Sequence, residues 1–396
     1  MMITPNNIPQ GYKATPLGII PQEWEVYDFD RIIIRPKSRH LPNPQIHLRC
    51  IELEHLSQGD GSILGYIDSA EQKSMKNEFE EGDVLFGKLR PYLRKYWLAK
   101  FRGVCSTEIW VLRAISDVCT KEYLFDIVSS YNFVQKANVS SGSKMPRAEW
   151  DYVSKIPILT PPLAEQKKIA EVLGVWDKAI EKQSHLIEQL TLRKRGLMQQ
   201  LLTAKRRLPG FSDPWKEVKL GEICNITTGK LDANAMEDNG IYPFFTCAKD
   251  VYKINKYAFD TEALLISGNG EYVGYVHYCK GKFNAYQRTY VLDQFRDNIF
   301  YLKYTLQYYL PKRILQTKSS SNTPYIVIGT LQDMIILEPS KAEQTAIAEV
   351  LTAADREIEL AQQKLELLRQ QKRGLMQQLL TGKKRVKNYG DSFKIY

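Results

Sequence analysis

Lys194-Arg195-Gly196-Leu197-Met198-Gln199-Gln200-Leu201-Leu202-Thr203 recurs unchanged as Lys372 to Thr381, 178 residues further along (372 − 194) in a chain of 396. An identical ten-residue string is not a coincidence of composition, and a duplication missed at the outset misassigns the whole fold. Extended backward without gaps, Ala164 to Arg207 matches Ala342 to Arg385 at 25 of 44 positions, including Ala-Glu-Gln, Ile-Ala-Glu-Val-Leu and the pair Asp177/Asp355. Upstream the register continues through Pro146/Pro324, Ile158/Ile336 and Pro161/Pro339. It becomes 180 for Asp83 to Phe86 against Ala263 to Ile266, and 191 for Trp24 against Trp215. The chain is therefore two copies of one unit, each a divergent globular domain followed by a near-identical segment.

That segment reads as a helix. Apolar residues fall at Ile169, Val172, Trp176, Ile180, Ile187, Leu190, Leu197 and Leu201. In the second copy they fall at Ile347, Val350, Ala354, Ile358, Leu365, Leu368, Leu375 and Leu379. With Gln183/Ala361 and Lys194/Lys372 filling the gaps, every step is three or four, the pattern of a coiled-coil seam. Pro161 and Pro162 suit a first turn, Ser340 with Glu343 forms an S-x-x-E capping box, and Pro209 and Gly382 end the pattern. A helix of about 40 residues is roughly 60 Å long, more than its own small domain can cover. The partner expected for the seam is the other copy, packed antiparallel about an internal pseudo-twofold axis. The alternative is a long helix laid on the surface of its own domain.

The globular parts read as mixed α/β. Strand-like runs occur at Asp83 to Phe86, Glu108 to Leu112, Lys155 to Leu159, Ala263 to Ile266, Thr289 to Leu292 and Met334 to Leu337. Helix-like stretches at Lys121 to Ala137 and Ile299 to Lys312 take equivalent places, each followed by a small polar loop, Ser140 to Met145 and Ser319 to Thr323. The division expected is a first domain over 1–160, a helix over 161–207, a second domain over 208–338, a helix over 339–385 and a tail over 386–396.

Composition sets the class of partner. Hydrophobic content of 43% excludes a disordered chain, and no apolar run approaches the roughly 18 residues of a membrane span. Met1 to Gln10 lacks a secretory pattern, so the expected site of action is the cytoplasm, with no membrane partner. The six cysteines are scattered without a Cys-x-x-Cys pair, and the five histidines show no metal-ligand spacing. Lys plus Arg number 55 against 45 Asp plus Glu, a net +10 that favours a polyanion such as nucleic acid. The Walker A, His-Glu-x-x-His and nucleophile-elbow patterns are absent, so no catalytic residue and no metal site are expected. Gly268-Asn269-Gly270 with Gly274 has the wrong spacing for a dinucleotide fingerprint and reads as a turn in a Tyr-rich hairpin.

What remains is a set of basic and aromatic loops suited to phosphates and bases. Copy one has Lys88, Arg90, Tyr92, Arg94 and Lys95 around a proline turn, with Ser143, Lys144 and Arg147 in the later loop. Copy two places Ser267 to Tyr272 at the same point, so Asn269 and Tyr272 are its candidates, with Lys230, Arg288, Lys318, Asn322 and Tyr325. Arginine suits guanine, Asn or Gln adenine, and Glu cytosine. Gln199, Gln200, Gln377 and Gln378 recur beside the seam, with Gln166, Gln344, Lys194, Lys372, Arg195 and Arg373, which reads as a docking surface used twice.

Three features carry a resemblance over essentially the whole length: Ile51 to Leu56 (IELEHL), Gly82 to Lys95 (GDVLFGKLRPYLRK) with Cys105 to Arg113 (CSTEIWVLR), and the doubled helices. The chain resembles the DNA specificity subunit of type I restriction-modification enzymes. The resemblance implies two target-recognition domains, each reading half of a split double-stranded DNA site. It implies two conserved helices that hold these domains apart and bind two methyltransferase (modification) subunits, with restriction motor-nuclease subunits added. It implies a non-catalytic chain without cofactor, S-adenosylmethionine, ATP and Mg belonging to the partners. Copy two departs from the commoner pattern in lacking Arg-Pro at the proline turn. The residues alone leave two rival readings: a stand-alone bipartite DNA-binding regulator, and a coiled-coil scaffold without DNA affinity.

Overall fold

The computed structural model describes residues 8–139, 146–316, 325–389 and 392–395. The chain forms two compact units, Met1–Gln183 with Lys364–Tyr396, and Ser184–Gln363. The repeated segments are single helices, Leu163–Leu202 and Lys341–Leu379, so each unit contains part of both.

In unit 1 the central strands are β1 (Val84–Gly87), β2 (Tyr96–Leu98) and β3 (Ile109–Ala114), and β1 pairs antiparallel with the other two. Strand β1 reads as a continuous apolar run because both its faces are covered. Val84 and Phe86 join Trp110, Leu112, Tyr123 and Phe133 in one core, while Leu85 joins Ile109, Val111, Phe79 and Trp97 in another. A five-stranded sheet of mixed direction backs the second core, in the order Arg39–His40, Lys76–Phe79, Gly103–Cys105, Arg49–Ile51, Ile67–Asp68. The stretch expected as one helix from Lys121 to Ala137 is two, α1 (Lys121–Ser129) and α2 (Tyr131–Ala137). Ser130 is extended, at φ −67° and ψ 145°, and its hydroxyl accepts from the Phe133 amide, so it ends one helix by capping the next.

Unit 2 repeats this plan. Strands β4 (Phe259–Ser267), β5 (Val276–Ala285) and β6 (Thr289–Asp293) carry the same pairing register offset by 180: Ile266 faces Tyr290 as Phe86 faces Trp110. Helix α3 (Ile299–Gln316) follows, and Leu264, Ile266, Leu292 and Tyr301 pack with Ile347 and Leu351 of the second long helix.

Inside each unit the two long-helix portions run antiparallel. In unit 1, Asp177 meets Lys372 at 2.5 Å, and Glu165 accepts from both Nε and Nη2 of Arg385. In unit 2, Asp355 meets Lys194 at 2.5 Å, and Glu343 accepts likewise from Arg207. The glutamates also take the indole N–H of Trp24 and Trp215, each at 2.9 Å. The capping box expected at Ser340 forms only in part: the Glu343 amide donates to the Ser340 hydroxyl, but the carboxylate goes to Arg207 and Trp215. A charged pair on a buried carboxylate outweighs one backbone N–H.

Candidate nucleic-acid interface

The turns between the first two central strands share one backbone frame. In unit 1, Arg90 and Arg94 adopt left-handed φ of 52° and 54°. In unit 2 the corresponding residues are Gly270 and Gly274, at 83° and 82°. The Ala148 amide donates to the Lys88 carbonyl, as Ile326 does to Gly268; the Lys88 amide donates to the Glu108 carbonyl, as Gly268 does to Arg288. A Cβ on Gly268 would lie 2.3 Å from that Arg288 carbonyl, so at this one point the second turn runs closer than the first, which carries Lys88, and admits only glycine. Left-handed backbone costs an L-residue about 1–2 kcal/mol, a penalty the first frame accepts twice for arginine.

Unit 1 directs these cations unequally. Arg90 is exposed and has no side-chain partner among the described residues, and Tyr92 is half exposed. Arg147 Nε lies 3.1 Å and Lys88 Nζ 3.9 Å from the Glu108 carboxylate, gathering three charges where Leu89 bridges Arg147. Arg94 and Lys95, expected to face a ligand, do not. Arg94 donates back to the Ser129 carbonyl and the Tyr96 hydroxyl, and Lys95 Nζ to the Leu53 carbonyl at 2.5 Å. Past the second left-handed residue the chain turns into β2, so both side chains satisfy carbonyls of their own unit. Burial pushes the Tyr96 phenol up to about 12. Ser143 and Lys144 lie outside the described residues.

Three further groups border this site. Arg35 stacks 4.3 Å from the Trp150 ring centroid and 5.5 Å from that of Trp110. Burial against the rings, and then Arg39, pull its pKa below the ordinary arginine value. Arg39 is held by Asn77, which in turn donates to the Ile109 carbonyl. The signal for these was Arg35-Pro36-Lys37-Ser38-Arg39, three cations in five residues. In the sequence Glu108 reads only as a strand terminus, although the 180 offset sets it opposite Arg288.

In unit 2, Arg288 and Lys230 are exposed, and Asn269 bridges the half-exposed Tyr325. The Tyr272 ring carries Lys249 Nζ 4.9 Å from its centroid. Lys318 and Asn322 lie outside the described residues.

On the long helices, Arg195, Gln199, Gln200, Arg373, Gln377 and Gln378 are exposed. Four residues expected with them on a docking face are not available to it. Gln166 and Gln344 are fully buried. Gln166 accepts from the Thr120 amide and donates to the Val118 and Pro161 carbonyls, while Gln344 accepts from the Asn298 amide and donates to the Pro339 carbonyl. Lys194 and Lys372 are consumed by the ion pairs to Asp355 and Asp177. No described helix is long and apolar enough to cross a membrane.

The Escherichia coli protein named "Type I restriction enzyme EcoDI specificity subunit" is 42% identical over 167 residues, which cover 42% of this chain and 37% of that relative. Two proteins of Methanocaldococcus jannaschii align almost end to end. The MjaVIII specificity subunit is 24% identical over 93% of this chain and 95% of its own. The putative MjaX specificity subunit is 26% identical over 96% and 97%. Among solved structures, a chain from a study of complex assembly and conformational transition of the type I R-M system superposes with a TM-score of 0.58 at 21% identity, over 92% of this chain and 99% of that one. The type I restriction-modification S subunit from M. genitalium superposes with a TM-score of 0.57 at 16% identity, over 90% and 96%. These likenesses show a shared fold. Residues 53–192 and 212–370 each match the family described as "Type I restriction modification DNA specificity domain". The chain belongs to that family, as a non-catalytic specificity subunit with two copies of its DNA-recognition domain.

Proposed function

We propose that each unit reads one half of a split duplex DNA target through its turn and the residues around it. In this reading the exposed Arg195, Gln199 and Gln200, with their counterparts Arg373, Gln377 and Gln378, dock two adenine-methylating subunits, to which motor-nuclease subunits add. S-adenosylmethionine, ATP and Mg belong to those partners, and the assembly works in the cytoplasm. One observation carries the reading: a strand-turn frame is kept in both units while the residues on it change, Arg90 to Gly270, Glu108 to Arg288 and Arg147 to Tyr325. A frame that holds its hydrogen bonds and varies its tip suits two different half-sites better than it suits a second core.

The experiment is co-expression with methyltransferase subunits, followed by mapping of methylated adenines. The expected motif is two unlike half-sites around a fixed gap, and insertion of four residues after Thr203 lengthens that gap while both half-sites stay unchanged. A single uninterrupted motif, or a gap indifferent to the insertion, would refute the split-target reading.

A further inference from the structure

Glu108 and Arg288 occupy one structural position with opposite charge. Each precedes the third central strand, and each gives its carbonyl to the amide of the first turn residue, Lys88 at 3.0 Å and Gly268 at 2.9 Å. Backbone anchoring of this kind fixes where the side chain starts, so the two tips leave equivalent points on equivalent frames.

The surroundings differ in kind. In unit 1 the Glu108 side chain stays 29% exposed between Arg147 and Lys88, one cation on each oxygen. A bare carboxylate on a DNA-facing surface is repelled by phosphate, but this one is neutralised by its neighbours. A carboxylate accepts about four hydrogen bonds, so each oxygen keeps a free lone pair. In unit 2 the cations have gone from the corresponding places, Gly268 for Lys88 and Tyr325 for Arg147, and the cation stands at the central position instead. Arg288 is exposed, and its guanidinium has no hydrogen-bond or ion-pair partner among the described residues. Its carbonyl is held twice, by Gly268 N–H and by Cys247 Sγ at 3.3 Å.

We propose that this position is the base-reading position of each unit, with inverted polarity. Glu108 accepts from the exocyclic amino group of a base, cytosine N4 or adenine N6, and Arg288 donates to guanine O6 and N7. The proposal rests on the split-target reading above and adds the residue and the chemical sense of recognition in each half. Arg147 and Lys88 are positioning residues that orient and neutralise Glu108.

The test uses the complex of the full chain with its methyltransferase subunits. Binding to duplexes with single substitutions, and the methylated motif, are compared for wild type, Glu108→Gln, Glu108→Asp and Arg288→Ala. Glu108→Gln keeps the volume and one acceptor, and Glu108→Asp keeps the charge but withdraws it, so one reports if the other folds poorly. Both are expected to lower discrimination about five- to 150-fold at one position of one half-site, an amino-bearing base. Arg288→Ala does the same at a guanine of the other half-site. An unchanged motif with uniformly weaker binding would make both residues mere phosphate or positioning groups and overturn the proposal. Loss of discrimination spread over both half-sites would also overturn it. A wild-type complex that methylates no split site defeats the broader reading first, a result distinct from failure of the variants.

Discussion

Lys372 Nζ lies 2.5 Å from Asp177, and the same two residue types, at the positions 178 residues away, make the same contact as Lys194 and Asp355. Each pair joins the lysine of one repeated string to the aspartate of the other copy. The strings are held alike for a physical reason: a lysine in either helix must meet an aspartate in the opposite one. One of the two gaps in the apolar pattern of each helix is this lysine. Asp177→Asn is expected to loosen unit 1 by about 1 kcal/mol and leave unit 2 unaffected, since the pair is partly exposed. Asp177→Lys combined with Lys372→Asp should recover most of the loss in a double-mutant cycle.

Beside that pair is Asp126, which is buried, with one carboxyl oxygen unpartnered. Burial holds its carboxyl protonated well above the usual carboxylate range, Lys372 opposing and Asp177 and Glu122 adding to the rise. The folded chain therefore keeps a proton that the unfolded chain releases near pH 4, and stability falls as pH climbs from about 4 towards the folded pKa. Asp126→Asn should remove that fall: the melting curves of variant and wild type meet at low pH and part in the variant's favour at neutral pH. Parallel curves would show that Asp126 is not the group responsible. At the matching place in unit 2, Tyr304 donates to Asp355 at 2.8 Å and needs no buried acid.

Arg90 offers a separation of stability from binding. Arg90→Gly places glycine at a left-handed φ of 52°, as Gly270 already is in unit 2, and is expected to stabilise unit 1 by about 1 kcal/mol. The same change removes an exposed cation from the turn, so affinity for duplex DNA should drop and the slope of log K against log salt should become shallower by about 1. A variant that is both more stable and undiminished in binding would remove Arg90 from the interface.

Both long helices end in a left-handed residue, Ala204 at φ 55° and Gly382 at φ 69°. Ala204→Gly should raise the stability of unit 2 by about 1 kcal/mol. The converse, Gly382→Ala, adds a Cβ 2.6 Å from Pro21 Cδ and should destabilise unit 1 by more than the backbone penalty alone. Thermal melts of the two variants should therefore shift in opposite directions.

Arg385 supports two carboxylates, Glu165 and the exposed Glu23, and these hold its pKa above the ordinary arginine value despite partial burial. Arg385→Met leaves Glu165 with only the Trp24 indole. With the arginine 23% exposed, the expected cost is about 2 kcal/mol, below that of a fully buried pair. Adding Glu165→Gln to Arg385→Met should recover part of it, because the stranded charge is then gone.

The duplication made the long helices and the central strands legible, because period and offset are properties of the sequence itself. Lys121 to Ala137 carried helical pattern throughout, and only the extended backbone at Ser130 divides it. The destinations of polar side chains were less accessible. Gln166 and Gln344 recur, as docking residues would, yet they recur because each ties the amide 46 residues upstream to its helix. Arg94 and Lys95 belong to a basic run, but the turn's second left-handed residue, not the composition, decides which cations face outward. Glu108 required knowing which backbone groups pair across the turn.

Trp24, near one end of the sequence, shares its glutamate with Arg385, near the other, and Met376, Leu379 and Val386 complete the first unit's core. The second unit, by contrast, is one uninterrupted stretch. A ribosome delivers the chain from its amino end, so the unit begun first is the last to close: its apolar face around Ile169 and Leu173 stays open while all of Ser184–Gln363 is being made. Synthesis therefore has a built-in order, with the contiguous unit free to fold during translation and the divided one waiting for Met376, Leu379 and Val386.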